Sequence, residues 1–581
     1  MHRYTDFTFV SVTNCGNLWP YTSTGSLVTI NLFDYFEDLQ TRGGEPVRWA
    51  ARAPRRPQAG YDLKLTPRSS DWRQDPDSLA ELERLEREPW VAAVTRSRDG
   101  VRLRLADSWV ELAGAALEAG GSAEAPLSDL AQGRRISVQF WDANATKALH
   151  VGHLRNLAIG NALAAALAQA GAQVERRSRI SDMGRAMGEA MAGVMQSGRH
   201  AEGWSDGDEK SDHFVGLCYA EYVAAGGLLV AGEAEQAEDS LSREVHVQND
   251  AADELIKRVL SGDHEALELW YKTRAWVIAG QRKTLARLGI AFDRVFFESD
   301  FLAETSELAE IGLRNGSLKR RADGVIVYAT GLQELEELPL VRADGLSTQH
   351  MRSLTYALTA PELEDMTSLQ VTGSEWVSHV ASIRKLAAEL RPGLNGDFHP
   401  SRSIFHGMVS SEQRAVTSSA GAQLIDELTD WLDARIDSTR DLHEVRRGHP
   451  NPERIAAQGA LGYFLPYPAT PDIDFNPERL LSEDESLGWD LARARSRASG
   501  GSVDSGWPVG DPDYRFAVIQ SELYRRYLRL AVERLDIRPL AHYLKHLSLW
   551  YLETERSEPV ERIVHTLLDR SARGLGLESS Q

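Results

Sequence analysis

Cysteine is scarce in this sequence. The 581 residues hold only Cys15 and Cys218, too few and too far apart for a disulfide framework or a cysteine zinc site, and a reducing compartment suits them. Long apolar runs are also absent: no stretch reaches the ~20 residues needed to span a bilayer. The opening residues, MHRYTDFTFVSV, lack the form of a secretory signal. The cytoplasm is therefore the expected location, and a membrane is not an expected partner. Positive charge is in deficit, with 65 Lys and Arg against 85 Asp and Glu and a formal net charge of −20. That balance gives no general field for nucleic acid, so DNA is not an expected partner and any RNA contact must use local basic surface. Candidate patches are Arg52, Arg55 and Arg56; Arg134 and Arg135; Arg176, Arg177 and Arg179; and Arg446 with Arg447. Clusters this short are more often solvated faces than binding sites.

What is present is ordinary for a globular chain of several domains, 42% hydrophobic and 26% charged. The organising stretch runs from Ile136 to Gly188. Ile136, Val138 and Phe140 alternate with Ser137 and Gln139 as a strand does. A small polar loop, Asp142 to His153, feeds a run in which Leu154, Leu157, Ala158, Ala162 and Ala165 fall at helical spacing until Gly171 can end it. Val174 to Ile180 then reads as the returning parallel strand of a βαβ unit, whose ligands bind at the carboxyl ends of the strands. The loop carries His150-Val151-Gly152-His153 at the helix N-terminus, where free N–H groups and the dipole favour an anion, and phosphate is the obvious one. Gly152 allows close approach and Lys147 adds a cation just upstream. In isolation such a pair of histidines is better read as a helix cap. The absence of cysteine and of an H-E-x-x-H pattern beside it argues against zinc, and no metal ligands are assigned.

In context, Asn144-Ala145-Thr146-Lys147-Ala148-Leu149-His150-Val151-Gly152-His153-Leu154-Arg155-Asn156 resembles the HIGH signature of class I aminoacyl-tRNA synthetases, and specifically the arginyl-tRNA synthetase family. The likeness extends through Gly160-Asn161-Ala162-Leu163 and Asp182-x-Gly184. It continues in GDHEALELWYKTRAWVIAGQRKTLARLGIAFDRVFFES, a helix that Ser261 or Asp263 can cap and Gly289 stops, ending at Glu298. The resemblance implies an α/β fold. A Rossmann-type parallel sheet with a helical insertion would occupy residues 133–444, and a small α+β amino-terminal domain residues 46–132. An all-α, anticodon-binding-like domain would span 445–581, leaving 1–45 as an unassigned extension. It also implies ATP as substrate, magnesium with it, an amino acid, and transfer RNA or an amine as acyl acceptor.

Site roles follow from the same resemblance. His150 and His153 would stabilise the pentacoordinate phosphate, and Lys147 with Arg414 would neutralise pyrophosphate. Gly152, Gly407, Met408 and Val409 would join the histidines in holding ATP. Asn144 and Glu298 would hold the amino acid, with Glu298 its main anion, and Gln139, Gln349, Ser353 and Trp376 stand at further pocket positions. Those last four depart from the family, which has Glu, Tyr, Asp and Gln there, and Ala186 also replaces a glutamine. After an expected strand from Ile404 to Val409, the second signature keeps its framework in HGMVSSEQRAVTSSAGAQLIDEL but lacks its lysines, which leaves Arg414 as the nearest cation. Some arginyl-tRNA synthetases compensate with a lysine where Lys147 stands. The leading expectation is ATP-dependent activation of an amino acid at an altered pocket, followed by acyl transfer. The alternatives are an ordinary arginine–tRNA ligase and a catalytically silent tRNA-binding or regulatory homologue.

Turn and helix signals complete the chain. Asp323-Gly324 and Asp344-Gly345 read as tight turns around strands. Gly100 to Leu105 reads as a strand before a helix from about Trp109 to Ala119, and Glu233 to Asp250 as exposed acidic loop. Stripes at Phe516, Ile519 and Leu523, at Leu540, Tyr543, Leu544 and Leu547, and at Val560, Ile563, Val564, Leu567 and Leu568 read as the cores of three helices.

Overall fold

The computed structural model describes residues 49–58, 60–67, 72–118, 130–199, 209–227, 251–333, 335–359, 366–390, 402–411, 414–415, 423–497, 508–553 and 555–578. The extension over 1–45, Cys15, the acidic stretch Glu233 to Asp250 and residues 416–422 of the lysine-poor loop lie outside them.

Alternation in the amino-terminal part yields strands as expected. β1 (Trp49–Arg52), β2 (Leu63–Pro67), α1 (Pro76–Leu85), β3 (Val91–Ser97), β4 (Gly100–Leu105) and α2 (Asp107–Glu118) form an antiparallel sheet of order β1-β2-β4-β3 with two helices. Leu63, Leu65, Val101, Leu103 and Leu105 are all buried, the inward set of a period-2 pattern.

The βαβ unit follows as β5 (Arg135–Trp141), α3 (Val151–Gln169) and β6 (Gln173–Ile180), with β5 and β6 parallel. The helix begins at Val151, so His153 lies in its first turn rather than in the loop. Gly171, at φ 95°, turns the chain out of α3. Gly160 is needed for packing: a Cβ there would stand 2.1 Å from the Cβ of Phe140, so its absence lets α3 lie directly on β5.

The insertion consists of α4 (Arg185–Gln196), α5 (Ser211–Gly227), α6 (Ala251–Leu260) and α7 (His264–Leu288). Between the two capping candidates for α7, Asp263 takes the role, accepting the Ala266 N–H at 3.0 Å, and Gly289 closes the helix at φ 68°. β7 (Arg294–Phe297), α8 (Leu302–Asn315), β8 (Lys319–Arg320), β9 (Ile326–Ala329) and β10 (Glu337–Val341) follow, and the last three strands form an antiparallel meander. Gly324 and Gly345, at φ 91° and 89°, make the two expected turns.

α9 (Gln349–Thr359), β11 (Thr367–Gly373), α10 (Val377–Leu390) and β12 (Arg402–His406) complete the parallel sheet, of order β12-β11-β5-β6-β7. The expected strand from Ile404 to Val409 is cut short at His406. Arg155, fully buried on α3, donates to the carbonyls of Gly407 (2.6 Å), Pro468 (2.8 Å), Ala469 (3.0 Å) and Pro471 (3.0 Å). The backbone leaves the sheet to satisfy this guanidinium, since an unpaired buried charge is far costlier than a lost ladder bond. Val409 instead opens β13 (Val409–Ser411), which pairs with β14 (Arg414–Ala415) and, farther on, with β15 (Ile473–Asp474).

The remainder is helical: α11 (Ile425–Ser438), α12 (Arg440–Gly448), α13 (Ile455–Phe464), α14 (Leu487–Arg497), α15 (Pro512–Arg534), α16 (Arg538–Glu553) and α17 (Glu558–Gly574). All the apolar positions expected in the last three helices are buried. One hydrophobic cluster runs from Leu63 through β5 and α3 to Leu577. Arg515 of α15 fastens the two ends together, with Nε 2.9 Å and Nη2 2.6 Å from the carboxylate of Asp62, Nη1 2.6 Å from Asp107, and Nη2 2.6 Å from the Leu105 carbonyl.

Candidate functional site

A cavity of about 360 Å³ opens at the carboxyl ends of β5, β6 and β11, against the start of α3 and between α9 and α10. It has the size and place expected of a ligand site in an α/β sheet. Gln139, Asn144, His150, Gly152, His153, Glu298, Gln349, Ser353, Trp376, Met408 and Val409 all line it. Gly407 and Lys147 are not among its lining residues. Gly407 turns its carbonyl to Arg155. Lys147 stands outside the lining, its ammonium 5.9 Å from the Tyr219 ring centroid. Arg414 lies in β14, and its side chain is outside what the structure describes.

The two histidines interlock. The Gly152 N–H donates to Nδ1 of His150 and the His150 N–H donates to Nδ1 of His153, both at 3.2 Å, with ring centroids 3.9 Å apart. A neutral imidazole that accepts at Nδ1 carries its proton on Nε2, so each ring keeps one N–H donor. Burial, reinforced by the other ring and then by Lys147, holds His150 well below the ordinary histidine value. Burial followed by Lys147 lowers His153 to about 3. Both rings are therefore hydrogen-bond donors rather than acids at neutral pH.

The prediction is spectroscopic. In protein carrying 13C-labelled histidine, the His150 and His153 ring signals stay at their neutral positions as pH falls from about 8 to about 5, through the usual midpoint near 6.5. His213, raised first by its hydrogen bond to Asp426, titrates above that midpoint. An inflection for His153 near 6.5 would contradict the neutral pair.

The rest of the cavity departs from expectation. Asp142, which the sequence did not single out, adds a second carboxylate. It accepts from the Gln139 amide at 2.8 Å and the Gln370 amide at 3.1 Å, and lies 3.8 Å from the Arg179 guanidinium. Burial pushes this carboxyl up, with Arg179 as the main opposing influence. Gln139 thus serves Asp142 as well as lining the cavity.

Glu298 is not a free anion. Its Oε2 accepts from Arg352 Nε at 2.6 Å and from the Ser181 hydroxyl at 2.8 Å, while Oε1, buried, has no hydrogen-bond partner among the described residues. Arg352 is 3% exposed and one turn from Gln349, a position whose charge gave no hint of its direction. Trp376 stands in a short turn after β11 rather than in the strand. Asp182 of the D-x-G element is buried and outside the lining, accepting from the Ser299 N–H and hydroxyl and from Arg274.

Some residues of the expected basic patches are engaged within the chain. Arg177 is 1% exposed and bonded to Glu175, and Arg446 pairs with Asp433 and Asp437. Asp212, His213 and Asp426 converge as metal ligands could, but the Lys210 ammonium joins them, 3.0 Å from Asp212 and 2.7 Å from Asp426. No helix among the described residues is long and apolar enough to cross a membrane.

The chain is similar to several known proteins. Residues 122–348 match the model of the class I tRNA synthetase (R) catalytic domain. The chain is 31% identical over 352 residues to an arginine–tRNA ligase of Amoebophilus asiaticus, covering 57% of this chain and 56% of that one. It is 28% identical over 372 residues to the arginine–tRNA ligase of Borrelia turicatae, covering 61% and 59%. The match thus spans a little over half the length of these relatives. The arginyl-tRNA synthetase structure from Thermus thermophilus superposes with a TM-score of 0.65 at 20% identity, over 94% of this chain and 97% of that one, which establishes the class I fold. Over residues 122–348 the chain is thus similar to the catalytic domain of the arginyl-tRNA synthetase family.

Proposed function

We propose that this cavity activates an amino acid with ATP as its aminoacyl adenylate and passes the acyl group to an acceptor. The observation that carries this is the pair of neutral imidazoles at the N-terminus of α3, each presenting one N–H on the cavity wall. An oxygen of the amino-acid carboxylate attacks the α-phosphorus, and the bond to the bridging oxygen breaks, releasing pyrophosphate. The two Nε2–H groups and the N-terminus of α3 stabilise the charge gathering on the phosphate oxygens. Lys147, close enough to depress both imidazoles, supplies the positive charge that the lysine-poor loop lacks, with Arg414 in support. Gly152, Met408, Val409 and the neighbouring Gly407 form the nucleotide side, and Asn144 with Gln139, Glu298, Gln349, Ser353 and Trp376 the amino-acid side. Magnesium, when bound with the nucleotide, would supply charge neutralisation at the phosphates; Asp142 and Glu298 are engaged with the chain's own donors. In the second step the acceptor attacks the carbonyl carbon and AMP leaves.

The names of the relatives favour ordinary ligation of arginine to transfer RNA over a specialised acyl transfer to an amine. One observation favours an altered amino acid, the pairing of Glu298 with Arg352. The test is ATP–pyrophosphate exchange across a panel of amino acids headed by arginine, with and without transfer RNA. Exchange with arginine that requires transfer RNA supports the ordinary ligase. Exchange with another amino acid, independent of transfer RNA, supports an altered pocket, and silence with every amino acid sinks the adenylation reading.

A further inference from the structure

The charges around the amino-acid half of the cavity cancel. Asp142 and Glu298 supply the anions, and Arg179 and Arg352 the cations. Arg179 lies 3.8 Å from Asp142, with its guanidinium 5.8 Å from the Tyr356 ring centroid. Arg352 holds Glu298 at 2.6 Å. A cationic side chain entering between Asp142 and Glu298 would find both carboxylates already engaged, the remaining lining carboxylate, Glu375, having Asp472 as its charged neighbour, and would leave water for a buried region that already carries guanidinium groups. Protonation of Asp142, which its burial favours, makes the balance still more positive.

The open valences have a different character. Glu298 is 2% exposed and lines the cavity, and its Oε1 has no partner among the described residues, so it calls for one hydrogen-bond donor that brings no charge. The wall between α9 and α10 combines apolar Ala357, Val380, Ile383 and Ala387 with the polar Gln349 and Ser353 and with Arg384. We propose that the cavity selects an amino acid with an uncharged, hydrogen-bond-donating side chain, and that Arg352 is the specificity-determining residue that excludes arginine by occupying Glu298. This rests on the reading of the cavity as an amino-acid activation site.

Citrulline supplies the sharpest probe, since its ureido group has the shape of a guanidino group without the charge. Calorimetric titration of the whole chain with citrulline, glutamine and arginine, in the presence of a non-hydrolysable ATP analogue, measures selection without requiring turnover. The expected result is binding of citrulline or glutamine at least about tenfold tighter than arginine. R352Q, which frees the Glu298 carboxylate, moves the ratio toward arginine by about tenfold or more, and R352K, which keeps the charge, preserves the wild-type order. Tighter binding of arginine by the wild-type chain overturns the proposal, as does failure to bind any of the three, and the wild-type comparison stands even if R352Q does not fold. An unchanged ratio in folded R352Q removes Arg352 from its role. Selective binding of citrulline or glutamine combined with no pyrophosphate exchange leaves the selectivity intact and defeats the adenylation reading alone.

Discussion

Replacing His153 with alanine is expected to lower ATP–pyrophosphate exchange by roughly 100- to 1000-fold, the usual loss when one preorganised donor to a developing oxyanion is removed. The size follows from how the ring is held. Its Nδ1 is tied to the His150 N–H at 3.2 Å, so the ring does not turn when charge develops, and its Nε2–H is free for the phosphate. The substitution also removes that backbone contact at the helix start, a structural cost of about 1 kcal/mol, which is small enough for the chain to remain folded. Exchange rates and the melting curve should therefore part company, with activity lost and the thermal midpoint nearly unchanged. Exchange within about twofold of wild type would show that the histidines cap α3 and do nothing for phosphate.

The largest expected effect on stability comes from Arg515→Met. Arg515 is 1% exposed and Asp62 3%, and removing the cation leaves a buried carboxylate without its bidentate partner, at a cost of about 3–5 kcal/mol. The loss should appear as a lower midpoint of thermal unfolding. The double variant Arg515→Met with Asp62→Asn should recover part of it, because it removes the stranded charge as well as the guanidinium. If Arg515→Met melts as the wild type does, the pair is not what fastens α15 to the amino-terminal sheet.

Much of the scaffold could be read from the chain because its signals are local. The alternation of Ile136, Val138 and Phe140, the Asp263 cap and Gly289 stop of α7, and the two Asp-Gly turns each depend on residues within one element, and each forms where expected. The likeness around His150 also brought most of the expected lining residues into one cavity. What escaped depends on contacts between distant segments. Glu298 was expected to be the main anion for a substrate, yet whether a carboxylate is available depends on a guanidinium 54 positions later, and the periodicity of α9 does not say that Arg352 points inward. Asp142 was passed over because a carboxylate in a polar loop is ordinarily solvated, whereas here Gln139 and Gln370, on separate strands, enclose it. The strand that was to reach Val409 ended early for the same kind of reason. Its continuation lost to Arg155, whose demand for carbonyls has no signature in the strand itself.

That demand places the nucleotide half of the cavity on a clock. Arg155 and the Pro471 carbonyl are separated by 316 residues, and at about 5–20 residues per second a ribosome takes roughly 15–60 s to bridge them. Throughout that interval α3 has been made while the carbonyls that will receive its guanidinium have not. Until they arrive its guanidinium stays in water, since burying it unpaired is costly. The end of the sheet beside α3 is thus begun long before it can be completed.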